Sequence, residues 1–180
     1  MDSALQVEPR TDTATEPVTQ IVRIRRAPRH EIQIGGYRPG MLAGMIGLQM
    51  QMALPAERQA VAHEVATASD IARFLSRFNP LHDLLIGAYD RDVLVGSIAV
   101  DSYLGGDGVA LLRWLAVGAV DDRRRLAGLL LRHALDFCRE RGIASVDLAM
   151  PYSDTELEMA IKTHGLGGPG GRATLVVPAV

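Results

Sequence analysis

"RRRLAGLLLRHALDFCRERGI", residues 123–143, is the stretch on which the fold of this chain turns. Ala127, Leu130, Leu131, Ala134, Leu135 and Cys138 recur at helical spacing and form one apolar stripe, while Arg125, Arg132, Asp136 and Arg139 fall on the opposite face. That spacing predicts a helix packed on a core. Its start is unusual, because three consecutive arginines stand at the positive end of the helix dipole. An anion that neutralised both the arginines and the dipole would explain them. Just upstream, "VALLRWLAV" (109–117) is a long apolar run that predicts a central strand covered on both faces. The short loop "GAVDD" (118–122) joins the two. A strand, a short loop and a helix start present unpaired N–H groups that attract phosphate, and arginines beside them add charge-assisted hydrogen bonds.

Working outward, "ASVDLAM" (144–150) predicts a buried strand after the helix, parallel to 109–117. "SDTELEMAIKTH" (153–164) predicts a last helix capped by Ser153 or Asp154, and "RATLVVPAV" (172–180) a closing strand. Upstream, "LLIGAY" and "VLVGSIAVDSY" flank Asp90-Arg91-Asp92, a tight polar hairpin. "MLAGMIGLQMQMAL" (41–54) places Leu42, Met45, Ile46, Gln49 and Met52 on one helical face. A second helix is expected over about 57–77, stopped by Asn79-Pro80. Short alternating runs at 21–25 and 31–34 predict strands. The order is strand, two helices, three antiparallel strands, helix, strand, helix, strand: an α+β layout.

The chain has 180 residues, enough for one domain with a sizeable core. Residues 1–20, rich in Thr, Glu, Asp and Pro, predict a disordered tail ahead of a domain over 21–180. A formal charge of −2 gives no overall attraction to nucleic acid or to an anionic membrane. No apolar run is long enough to span a bilayer and the first residues lack a signal-peptide pattern, so a cytoplasmic location is expected. The single cysteine, Cys138, excludes an internal disulfide and reads as a buried, inert thiol. The histidines lack metal-ligand spacing, and no metal is expected. "GLGGPGG" (165–171) lacks the Lys-Ser/Thr of a P-loop and reads as a plain loop.

"LRWLAV…DDRRRLAGLLLRHALDFCRERGIASVDL" resembles the coenzyme-A-binding core of the GNAT acyltransferase superfamily. There a splayed central strand leads into an Arg/Gln-x-x-Gly-x-Gly/Ala loop that cradles the pyrophosphate of acyl-CoA. The similarity runs over about 30–166 and includes "GYRPG" and "DTELEMAIKTHGL", in the order found in the acetyltransferase half of MarR–GNAT fusion proteins. The residues ahead of it are too few for a winged helix, so DNA binding is not carried over. The resemblance implies an α+β GNAT fold, a mixed and mostly antiparallel central sheet flanked by helices. It implies acetyl-CoA as co-substrate and a primary amine of a small molecule or protein as acceptor. Homodimers are common among such relatives.

By the same resemblance, the backbone of Leu115, Ala116 and Val117 would hold the pantetheine arm. Arg123, Arg124, Arg125, Leu126, Ala127 and Gly128 would hold the pyrophosphate, chiefly through N–H groups. Two departures stand out. Leu126 takes the place of the first loop glycine, with Gly128 matching the second. Ile161 takes the place of a tyrosine that often serves as general acid, and nothing assigns Tyr152 to that role.

A base is needed because an amine is mostly protonated at neutral pH. Glu64 and Asp101 are the candidates, Glu64 because the resemblance implies a glutamate at that place in the second helix and Asp101 because it falls at the end of a strand. His63 adjoins Glu64, but adjacent helical residues point apart. The expected function is an acetyl-CoA-dependent N-acetyltransferase. The alternative is a catalytically impaired GNAT-fold protein that binds acyl-CoA or serves as an interaction module, favoured by Leu126 and Ile161.

Overall fold

The computed structural model describes residues 32–52, 61–102, 108–149, 154–166 and 172–173. The expected tail at 1–20, the strand at 21–25 and Tyr152 lie outside the described residues. Strand β1 (Ile32–Gly35) leads to helices α1 (Met41–Met52) and α2 (Val61–Arg77). Strands β2 (Leu84–Asp90), β3 (Val93–Asp101) and β4 (Val109–Val117) follow, then α3 (Arg123–Glu140), β5 (Ser145–Leu148), α4 (Thr155–Thr163) and β6 (Arg172–Ala173). The strands form one six-stranded sheet in sequence order. All neighbours are antiparallel except β4 and β5.

Alternation along the strands divides the core into two layers. Ile86, Ala88, Ile98, Val100, Ala110 and Leu112 face α3, whose Leu126, Ala127, Leu130, Leu131, Ala134, Leu135 and Cys138 are buried against them. Leu85, Ala99 and Trp114 face the other way, against Met41, Met45, Ile71 and Phe74 of α1 and α2. The stripe predicted on α3 is the stripe observed. On α1 the buried residues are Met41, Met45, Leu48 and Gln49, with Leu42 and Ile46 only partly buried against the same cluster. The face is turned from the predicted one, because α1 is apolar nearly all round and its periodicity specifies orientation weakly.

The ends of the elements follow local chemistry. Asp154 caps α4, its Oδ1 accepting from the N–H groups of Glu156 and Leu157. Beyond α2, Asp83 is 4% exposed, yet Asn79 N–H, Ser102 N–H and Ser102 Oγ all donate to its carboxylate. A buried charge so satisfied ties the end of α2 to the end of β3. Between β2 and β3, Arg91 takes a left-handed φ of 57° in the hairpin turn.

Candidate functional site

Strand β4 is irregular where its chemistry is of interest. Ala99 pairs with Arg113, but the next pair is Ser97 with Ala116, so Ile98 alone opposes Trp114 and Leu115. This is a β-bulge. Trp114 lies at φ 53°, a conformation costly for a bulky residue. Its surroundings hold it there. The ring packs edge-on to Phe74 at 5.3 Å, the Arg113 guanidinium covers it at 4.2 Å, and Ser97 Oγ donates to its carbonyl at 3.0 Å. The extra residue inverts the alternation, so Leu115 and Val117 face α3 where an even strand would present Trp114 and Ala116.

The bulge also lies just beyond the last pairing of β4 with β5 among the described residues. The parallel pairing ends at Leu112 with Leu148, closed by Ala149 N–H donating to Leu112 O at 3.0 Å. From Arg113 to Val117, β4 pairs with β3 alone among the described residues. Gly118 N–H donates to Val95 O on β3 at 2.9 Å. A planar trans peptide points its C=O opposite its N–H, so the Val117 carbonyl faces the open side.

That carbonyl is occupied. Arg123 donates to Val117 O from Nε at 3.2 Å and from Nη2 at 3.1 Å. The same Nη2 lies 2.7 Å from Asp154 Oδ2 and 3.5 Å from Met52 Sδ. The ends of α1 and β4 and the starts of α3 and α4 therefore meet around one guanidinium. Burial alone would raise the Asp154 carboxyl, but the Leu157 N–H and the hydrogen bond and charge of Arg123 hold it below the ordinary carboxylate range.

Helix α3 begins at Arg123, and Asp122 is its cap, with Oδ1 accepting from Arg125 N–H at 3.1 Å. Leu126 N–H is already bonded to Asp122 O. The groups left for an anion are thus the first-turn N–H groups of Arg123 and Arg124 and the side chains of Arg124 and Arg125, both exposed. Leu126 and Ala127 are wholly buried core residues. Gly128 sits in the second turn, where a Cβ would meet His164 Cε1 of α4 at 3.2 Å. The structure accordingly puts Leu126, Ala127 and Gly128 in helix packing rather than in a loop. Arg124 reaches Thr163 Oγ1 at 3.3 Å, and Ile161 is buried at 7% exposure.

The two base candidates are in contrasting places. Glu64 is exposed in the first turn of α2. Asp101 is wholly buried, with Oδ2 2.5 Å from Arg77 Nη2 and 3.4 Å from Arg113 Nη1. Arg113 also pairs with Asp70 at 3.3 Å. Asp101 is therefore the centre of a buried ion-pair group linking α2, β3 and β4. Cys138 is buried, and burial pushes its thiol up to about 12. Among the described residues, no three His, Cys, Asp or Glu side chains cluster as a metal would require, and no helix is long and apolar enough to cross a membrane.

Sequence reasoning offered Asp154 as a cap of the last helix, which it is, but not as the partner of Arg123, and it missed Asp122 and Ser97. For Asp122 a signal was present, since aspartate before a helical run is a preferred cap. Buried Gln49, one residue from the Leu48 that abuts Gly118, also has no hydrogen-bond partner for its Nε2.

A mixed sheet opened beside the start of a helix, with paired helices across its other face, is the fold of the GNAT acetyltransferases, and this chain has that α+β fold. It is similar to a GNAT family acetyltransferase from Brucella melitensis solved with acetyl-CoA, at 18% identity and a TM-score of 0.57, over 84% of this chain and 91% of that one. It is similar to the PaiA N-acetyltransferase from Thermoplasma acidophilum solved with coenzyme A, at 16% identity and 0.57, over 79% and 96%. A third is the ribosomal-protein-S18-alanine N-acetyltransferase from Escherichia coli, at 19% identity and 0.51, over 74% and 76%. No protein-family model matches the chain, and no curated protein matches it in sequence.

Proposed function

We propose that this protein is an acetyl-CoA-dependent N-acetyltransferase acting on a primary amine. The observation that carries the reading is that, among the described residues, the pairing of β4 with β5 ends at Leu112 while β4 runs on to Val117, close to the start of α3. A pantetheine arm contains amides, and the strand edge at Leu115, Ala116 and Val117, which no described strand pairs on the β5 side, offers them backbone partners. The diphosphate would lie against the first turn of α3, met by the N–H groups of Arg123 and Arg124 and by the side chains of Arg124 and Arg125. The solved structures with coenzyme A and acetyl-CoA bound support the choice of co-substrate.

The chemistry then needs little from the protein beyond placement. The amine nitrogen attacks the thioester carbonyl, a C–N bond forms, and the C–S bond breaks. The amine proton goes to a base, for which Glu64 is the proposed residue, and the thiolate is protonated from solvent. Asp101, engaged by two guanidiniums, is proposed as a structural anchor of β3 and β4 rather than a base.

A second reading, an acyl-CoA-binding protein without turnover, is favoured by Ile161, which brings no hydroxyl, and by the guanidinium on the Val117 carbonyl. Free-thiol release from acetyl-CoA across a panel of amines separates the two. Acceptor-dependent release that falls at least about tenfold in Glu64→Gln, roughly 1.4 kcal/mol of transition-state stabilisation, supports the enzyme with that base. Saturable binding with no release supports the second reading.

A further inference from the structure

We propose that Arg123 is a latch on the open edge of β4, anchored by Asp154, which the thioester-bearing arm must displace before it can pair with the strand. The inference rests on the reading of this edge as the acyl-carrier site and deepens it.

Three observations carry it. Val117 offers the carbonyl that faces the open side, because the N–H of the same peptide is turned to Val95 on β3. Arg123 takes that carbonyl with two donors, Nε and Nη2, so it leaves little for an incoming amide. The guanidinium is also fixed: Nη2 is 2.7 Å from Asp154 Oδ2, and Asp154 is itself held at Oδ1 by the N–H groups of Glu156 and Leu157. Arg123 and Asp154 keep only 27% and 15% of their side-chain surface exposed, so the pair is screened less than a surface ion pair.

A residue first expected to bind phosphate thus occupies the place expected for pantetheine. The two roles can be sequential. A diphosphate arriving at the first turn of α3 offers Arg123 another anion, and moving to it would free the Val117 carbonyl. A neutral arm brings no such replacement. The latch therefore selects acyl carriers that bear phosphate over those that do not.

The test is calorimetric titration of acetyl-CoA into the full chain, its Asp154→Asn variant and its Glu156→Gln variant. Asn keeps an oxygen for the α4 cap but loses the charge that anchors Arg123. Glu156 lies 4.0 Å from Arg123 Nη1 and makes no hydrogen bond to it, so its variant controls for net charge. The latch predicts about fivefold tighter binding for Asp154→Asn, equivalent to about 1 kcal/mol, and less than about twofold for Glu156→Gln. Equal gains in both variants, or unchanged or weaker binding in Asp154→Asn, would overturn the latch while leaving the acyl-carrier site standing. Absence of binding in all three would overturn the site and the latch together. Arg123→Met, titrated with S-acetylpantetheine, guards against loss of the α4 cap. That ligand carries no phosphate, so the latch predicts tighter binding than in the unaltered chain, and a role confined to phosphate binding predicts no change.

Discussion

Replacing Asp101 by asparagine separates the two roles this residue has been assigned. The carboxylate is wholly buried, with Arg77 at 2.5 Å and Arg113 at 3.4 Å from the same oxygen. Removing one partner of a buried ion pair costs about 3–5 kcal/mol, because the remaining charge is left uncompensated. Here the lower end applies. The Arg77 and Arg113 side chains keep 23% and 16% of their surface exposed, and Arg113 retains Asp70 at 3.3 Å. A loss of about 3 kcal/mol in a domain of this size lowers Tm by about 6–12 °C. Thermal unfolding followed by far-ultraviolet circular dichroism, with guanidinium titration for the free energy, measures it. A catalytic base would show the reverse pattern, with activity lost and Tm nearly unchanged. A Tm shift below about 2 °C would refute the structural assignment and return Asp101 to the list of bases.

Other consequences can be measured in the same way. Ser97→Ala removes the hydroxyl that satisfies the Trp114 carbonyl in the bulge, and leaving that buried group unpaired costs about 1–3 kcal/mol by denaturant titration. A loss below about 0.5 kcal/mol would mean the bulge is held by packing alone. Cys138, buried and with its thiol pushed up to about 12, resists alkylation by iodoacetamide at pH 8 in the folded chain and reacts once the chain is unfolded. The folded-state pKa of Asp154 is depressed, so its contribution to stability is full above the ordinary aspartate range near pH 4 and declines as pH falls through the lower folded value. Asp154→Asn should flatten that part of the acid limb in urea midpoints measured between about pH 2 and 5, and an unaltered limb would contradict it.

How much of this was legible in the sequence depended on whether a residue's neighbours were near in the chain. The α3 stripe was legible because each apolar residue recurs within a turn or two, and all six predicted members are buried. The strand, loop and helix at 109–140 followed for the same reason, as did the hairpin at Asp90–Asp92. The bulge at Trp114 left no trace, since "VALLRWLAV" is apolar almost throughout and carries no alternation to break. The sequence left the first residue of α3 open within Arg123–Gly128, and Asp122, capping the helix at Arg123, commits Leu126 and Ala127 to the core. Arg123 with Asp154, and Asp101 with Arg77 and Arg113, pair residues 31, 24 and 12 positions apart across different elements, a separation no local pattern records.

Amide chemical-shift mapping of the uniformly labelled chain during an acetyl-CoA titration reads residue by residue where the co-substrate binds. Saturable shifts centred on the amides of Leu115 to Gly118 and of Arg123 to Arg125 are predicted, with half-saturation below about 1 mM, or about −4 kcal/mol of binding free energy. Shifts that stay linear to that concentration, or that centre elsewhere on the sheet, would contradict the claim that the open edge of β4 is the acyl-carrier site.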